Sequence, residues 1–140
     1  MKMTGQCLCG AVRYKIEGEL QMCGVCHCKN CQRQAGSAYS VLFGVADEDI
    51  ELNGDLTTYE DHGDSGNVVY RHFCGTCGSP VKTTLPSQSG MTFIKAGTLD
   101  DTSVLQPQIH FWTSSKQPWV EIDPDVLQMQ QNPGGPLFGK

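Results

Sequence analysis

Cys74-Gly75-Thr76-Cys77-Gly78 is the stretch on which the reading of this 140-residue chain turns. Two cysteines three apart can aim both sulfurs at one metal ion, and the glycine behind them lets the backbone approach closely. Such a pair supplies half a tetrahedron and needs a second pair. Cys7-Leu8-Cys9-Gly10 is the natural partner, because alternate residues at a strand end point to the same side. A site made of Cys7, Cys9, Cys74 and Cys77 would be closed and therefore structural, tying the first strand to a distant loop. Zinc binding is worth about 10–16 kcal/mol in model peptides, which is comparable to the whole stability of a domain.

The other four cysteines lie in Cys23-Gly24-Val25-Cys26-His27-Cys28-Lys29-Asn30-Cys31. Three close-set sulfurs, Cys26, Cys28 and Cys31, could hold a second ion with one position left for a substrate atom, the form catalytic zinc takes. Cys23, three before Cys26, would close that site if it ligated as well, and the spacing leaves both arrangements open. His27 points away from an ion that both its neighbours face, which places it beside the site or at the surface, not on the metal. Two competing motifs fail. The Cys23–His27 run matches haem attachment in form, but that chemistry needs export and an axial ligand. Zinc deaminases need His-x-Glu and Pro-Cys-x-x-Cys, whereas His27 is followed by Cys28-Lys29 and Cys74 follows Phe73.

The rest of the composition agrees with metal staples. Only 39% of the residues are hydrophobic, while 16 Gly and 7 Pro suit a turn-rich β protein. The N-terminal Met1–Cys7 carries no apolar signal stretch and no run approaches the roughly 20 residues that span a bilayer. A cytoplasmic location, reduced thiols and metal in preference to disulfides are therefore expected, with no membrane partner. A net charge of −5 argues against a nucleic-acid groove. Seven thiolates on two Zn²⁺ would take it to about −8, so an anionic ligand needs a local basic pocket.

Strands are expected over Gly10–Glu17, Ser37–Val45, Leu56–Glu60, Asn67–Phe73, Pro80–Leu85, Met91–Gly97 and Ile109–Thr113. Leu20–Met22 is expected to pair with the first of these as a hairpin, and Cys28–Ala35 to form a short helical turn. Turn chemistry marks Asn53-Gly54, Gly63–Gly66 and Pro86–Gly90, and Asp47–Asp49 reads as a solvated acidic turn. The chain reads as one all-β domain over residues 1–129, with 130–140 a loosely held tail.

The motifs together resemble the glutathione-dependent formaldehyde-activating enzyme family, also called the centromere-protein-V/GFA domain. The matching residues are Gly5-Gln6-Cys7-Leu8-Cys9-Gly10 with Val12 and Tyr14, Cys26-His27-Cys28-x-x-Cys31 with Gly36, and Arg71-His72-Phe73-Cys74-Gly75-Thr76-Cys77-Gly78-Ser79-Pro80. A weaker element runs from His110 to Trp119. The resemblance implies a β-tent-like all-β fold of short antiparallel strands. It implies Cys7, Cys9, Cys74 and Cys77 on a structural zinc, and Cys26, Cys28 and Cys31 on a catalytic one. It implies a carbon–sulfur lyase that adds glutathione, or a similar thiol, reversibly to formaldehyde or another small aldehyde. Glutathione is anionic, and Lys29 and Arg33 beside the ligands are the candidates for its carboxylates. The oligomeric state is open, a homodimer included. A different class of function, a non-enzymatic zinc-stabilised interaction module, would follow if Cys23 closed the second site. His72, His110, Trp112 and Trp119 read as core, edge or pocket-wall residues.

Overall fold

A computed structural model describes residues 1–63 and 66–131. Its strands are β1 (Lys2–Gln6), β2 (Arg13–Glu17), β3 (Met22–Cys26), β4 (Ser40–Ala46), β5 (Ile50–Asn53) and β6 (Leu56–His62). They continue as β7 (Val68–Cys74), β8 (Pro80–Thr84), β9 (Met91–Lys95), β10 (Ile109–Phe111) and β11 (Leu127–Gln128), with one helix, α1 (Lys29–Ala35). The expected all-β class holds. Residues 132–140, most of the tail read as loosely held, lie outside the described residues, as do 64 and 65, on which part of the expected Gly63–Gly66 turn falls.

Two sheets share the strands. A small one has the order β1-β2-β5, and a large one runs β11-β10-β3-β4-β9-β8-β7-β6. In β2 the alternation of Tyr14 and Ile16 inward with Arg13, Lys15 and Glu17 outward marks a strand with one wet face. β3 is buried at all five positions because it lies inside the large sheet, between β10 and β4.

Two expectations are corrected. Leu20–Met22 does not pair with β2. The turn from Cys7 to Val12, closed by the Cys7 N–H donating to the Val12 carbonyl (3.0 Å), makes β1 the hairpin partner of β2, and β5 takes the other edge. With both edges of β2 filled, the chain after Gly18 crosses to the large sheet. The strands are also not uniformly antiparallel, since β10 runs parallel to both β3 and β11.

The core is divided by the large sheet. One cluster, between the sheets, gathers Cys7, Val12, Tyr14, Ile16, Cys23, Phe43, Ile94 and Cys74. The other gathers Met22, Cys26, Cys31, Phe93, Ile109 and Phe111. β3 feeds both, because its alternate side chains leave from opposite faces. Cys23 and Cys26, three residues apart in one strand, therefore end on opposite sides.

The small sheet docks where Gly5 meets Leu99 in an isolated bridge. The Tyr14 ring lies over Gly5 and its hydroxyl bonds Thr98 Oγ1 at 2.8 Å. A Cβ at Gly5 would overlap that ring and the Thr98 carbonyl. Gly5→Ala should therefore cost about 1–3 kcal/mol of stability, the usual penalty for overpacking, read as a lower urea midpoint with an unchanged slope.

Candidate metal centres

The first centre is built by two turns. Cys7 and Cys9 sit in the β1–β2 turn, where the Gly10 N–H donates to the Cys7 carbonyl (3.1 Å) and the Val12 N–H donates to Cys7 Sγ (3.3 Å). Cys74 and Cys77 sit in the β7–β8 turn, where the Gly78 N–H donates to the Cys74 carbonyl (2.8 Å). Gly78 has φ +80°, a left-handed conformation that only glycine adopts without strain. The turns are joined by the Leu8 N–H donating to Ser79 Oγ at 3.0 Å. All four sulfurs lie within 4.8 Å of one another.

The spacing fits a metal. Zn–S bonds of 2.3 Å in a tetrahedron place sulfurs about 3.8 Å apart. The Cys7–Cys9 and Cys9–Cys74 sulfur separations are 3.7 and 3.8 Å. Ser79 prepares the fourth corner: its hydroxyl and backbone N–H, followed by the Cys9 backbone, hold the Cys77 thiol down to about 5.

The second group contains Cys26, Cys28 and Cys31, again with sulfurs within 4.8 Å. Cys26 ends β3. Cys28 is the N-cap of α1, its sulfur accepting from the Cys31 N–H at 3.2 Å, so one residue caps the helix and faces the centre. Cys31 is in the first turn of the helix and buried. Cys23 is absent from the group. It is 3% exposed in the cluster between the sheets, its backbone N–H donating to Gln108 Oε1 at 3.3 Å. The three thiols are thus a partial coordination set, with no fourth cysteine beside them among the described residues.

Two buried cations, Arg71 and Lys95, lie behind these thiols. Arg71, 4% exposed, directs both terminal nitrogens at Cys31 Sγ (3.9 and 4.0 Å), while its Nε donates to Asp61 at 2.8 Å. Asp61 also accepts from the Asn30 amide (3.2 Å), tying α1 to β6. Lys95, 7% exposed, donates to Ser40 Oγ at 2.8 Å, and Ser40 is the register partner of Cys26. Cys26 and Cys28 thiols donating to Cys31, with Lys95 and Arg71 behind it, hold Cys31 well below the ordinary thiol range. The same hydrogen-bonded neighbours, and burial, push Cys26 well above it. Burial works against the Arg71 charge, but Cys31 and Asp61 outweigh it and hold the guanidinium above its ordinary value. The strand signal for Arg71 was present, three residues before Cys74. Lys95 gave none, because nothing local distinguishes a lysine at the end of a strand.

His27 is fully buried and stacks on His110, with its Nε2 2.9 Å from His110 Nδ1. Burial, then His110 and Lys116, lower it to about 4, so it stays neutral beside the thiols. Gln32 binds the carbonyls of His27 and Ser115 (2.7 and 3.0 Å) and accepts from Gln117, strapping the 113–117 loop over the helix. His72 is satisfied at the sheet surface by Thr58 and Thr84.

Lys29 and Arg33 lie elsewhere. With Gln32 and Gly36 they follow the i, i+3, i+4, i+7 spacing of one helix face and line an open cavity of about 480 Å³ with Gln117 and Trp119. None of the three cysteines lines that cavity, and Cys31 leaves the helix on the other side. Trp119, 70% exposed, is a wall of this cavity, whereas Trp112 packs partly buried against the second core cluster.

The profile of the family described as glutathione-dependent formaldehyde-activating enzyme matches residues 2–115, which include both cysteine groups. The chain belongs to that family. Its membership makes it a relative of enzymes named for glutathione-dependent activation of formaldehyde. A Halomonas elongata protein provisionally named a glutathione-dependent formaldehyde-activating enzyme is 28% identical over 137 residues, covering 88% of this chain and 82% of its own. A crystal structure of a Rhodobacter sphaeroides protein shares the fold, with a TM-score of 0.57 and 23% identity over 75% of this chain and 92% of that one. Among the described residues no helix is long and apolar enough to cross a membrane.

Removing one partner of a buried ion pair leaves the other uncompensated. Arg71→Met should lose about 3–5 kcal/mol in denaturant unfolding at constant metal concentration, and adding Asp61→Asn should recover part of the loss.

Proposed function

We propose that this protein is a zinc-dependent carbon–sulfur lyase that adds glutathione reversibly to formaldehyde. The observation that carries the reading is the three-cysteine group with Cys23 turned to the opposite face of β3. Cys7, Cys9, Cys74 and Cys77 would hold one zinc ion as a closed structural site, and Cys26, Cys28 and Cys31 a second with a position free. A zinc ion held by the trio would supply a position at which a thiol loses its proton and stays nucleophilic.

The residues around that position supply the rest. Hydrogen bonds from Cys26 and Cys28, with Lys95 and Arg71 behind them, ready Cys31 as a thiolate ligand, and neutral His27 adds no charge beside the thiols. The Gln32 strap fixes the 113–117 loop beside α1. Lys29 and Arg33, on the cavity wall of the same helix, are the cations for the glutathione carboxylates, which extend several bonds from the sulfur. In the reaction the glutathione sulfur forms a bond to the formaldehyde carbon, the carbonyl π bond opens, and the thiol proton ends on the new hydroxyl. The competing reading, an interaction module with a closed four-cysteine second site, needs a fourth protein ligand. Cys23 is packed in the other cluster, which favours the open site.

Free formaldehyde should disappear in the presence of glutathione faster than in the uncatalysed mixture, with two zinc ions per chain. Cys28→Ser should lose the second ion and the activity while keeping the fold. Equal rates with and without the protein would remove this reaction from the chain. Lys29→Ala and Arg33→Ala should each raise the glutathione KM roughly three- to tenfold with kcat little changed, the signature of lost ligand binding.

A further inference from the structure

One buried cation behind the three-cysteine group has no carboxylate partner among the described residues. Three thiolates and a divalent ion carry a net charge of −1. The Arg71 guanidinium is already answered by Asp61 at 2.8 Å. Lys95 has no such answer. The ion pairs among the described residues are Lys2–Glu17 and Arg71–Asp61, and the Lys95 ammonium, in a residue 7% exposed, bonds only to the neutral Ser40 hydroxyl. A buried ammonium needs an opposing charge: burial and the Arg71 guanidinium work against Lys95, and among the described residues the sulfurs of Cys31, Cys26 and Cys28 work for it. Its place is fixed by the sheet: β9 pairs with β4, and Ser40 of β4 lies opposite Cys26 at the end of β3. The positive charge is therefore held beside the Ser40–Cys26 register pair, and Lys95 does not line the cavity that holds Lys29 and Arg33.

We propose that Lys95 is the counter-charge that makes this centre select an anionic fourth ligand over a neutral one. This rests on the reading of the trio as a metal site with a free position, and it adds a specificity-determining residue to it. An incoming thiolate takes the centre from −1 to −2 in a buried setting, and with the adjacent ammonium counted the change is from neutral to −1, a smaller electrostatic cost. A neutral ligand such as water or imidazole gains nothing from it. Lys95 acts through the centre's charge and touches no substrate, so it is a positioning residue.

The test uses the full-length protein loaded with Co²⁺, whose visible bands report the ligands of the trio without turnover. The four-cysteine site gives a constant background. Glutathione, azide and imidazole are titrated separately into wild type, Lys95→Gln, which keeps a donor for Ser40, and Lys95→Arg. The expected result is a glutathione and azide affinity lower by roughly tenfold or more in Lys95→Gln, imidazole affinity within about twofold, and recovery in Lys95→Arg. Unchanged anion affinity in Lys95→Gln overturns the proposal. Equal weakening of all three ligands overturns it too, because that is a packing defect, and so does loss of Co²⁺ from the trio. A wild-type centre that takes azide in a Lys95-dependent way but refuses glutathione supports the counter-charge and sinks the thiol reading. One that takes none of the three sinks both. Should Lys95→Gln not fold, Ser40→Ala frees the ammonium from its hydrogen bond, and the ratio of anion to imidazole affinity must then shift.

Discussion

Four sulfur atoms meet where two hairpin turns meet, and the architecture depends on that junction. The β1–β2 turn brings Cys7 and Cys9, and the β7–β8 turn brings Cys74 and Cys77. Neither turn has enough apolar side chains to anchor itself; Leu8, between two of the ligands, is 84% exposed. What joins them is the Leu8 N–H donated to Ser79 Oγ and backbone N–H groups donated to sulfur and carbonyl, which set the four sulfurs at the spacing a tetrahedral metal would need. The small sheet is pinned at this end by the sulfurs and at the other by Tyr14 lying across Gly5 to Thr98. Val12, Ile16, Phe43 and Ile94 fill the space between, all fully buried. A chain with so modest a hydrophobic fraction can enclose a core of this kind because its two sheets are held by a few strong contacts at their ends.

The large sheet then acts as a partition. β3 sends Cys23 to one side and Cys26 to the other, so one strand separates a packing cysteine from a ligand candidate. On the far side the helix is short, yet it performs three tasks. Its N-cap is Cys28, its first turn carries Cys31, and its opposite face lines the cavity with Lys29 and Arg33. The acidic chain as a whole repels anions, while buried Arg71 and Lys95 favour negative charge on Cys31. Buried charge is screened far less than surface charge, so two residues can outweigh the general surplus at this point.

What could be read from the residues followed the range of the interactions. Short-range signals sufficed for the cysteine pairs, the helical turn after Cys28, the acidic turn at Asp47–Asp49 and most of the strands. Leu20–Met22 is close to β2 in sequence but not in space, because β1 and β5 already fill both edges of β2. The turn that mattered was Cys7–Val12, which looked like a ligand loop and was also the hairpin. β1 and β5 passed unnoticed because each is short and carries few β-branched residues. β10 was found, but its direction was not, since a parallel pairing has no local signature.

The sequence by itself determined which cysteines could share an ion in the first centre, the all-β class and the family, because spacing and turn residues are local properties. It could not decide Cys23. A Cys-x-x-Cys spacing gathers two sulfurs when it lies in a turn, as at Cys74 and Cys77, and separates them when it lies in a strand, as at Cys23 and Cys26. Only the tertiary structure decided which applied, by burying β3 between β10 and β4. It also decided where the charge lies. The visible cations beside the ligands, Lys29 and Arg33, face the cavity, whereas Arg71 and Lys95 reach the sulfurs from strands far away in the chain, and sheet register, a non-local property, is what brings them there.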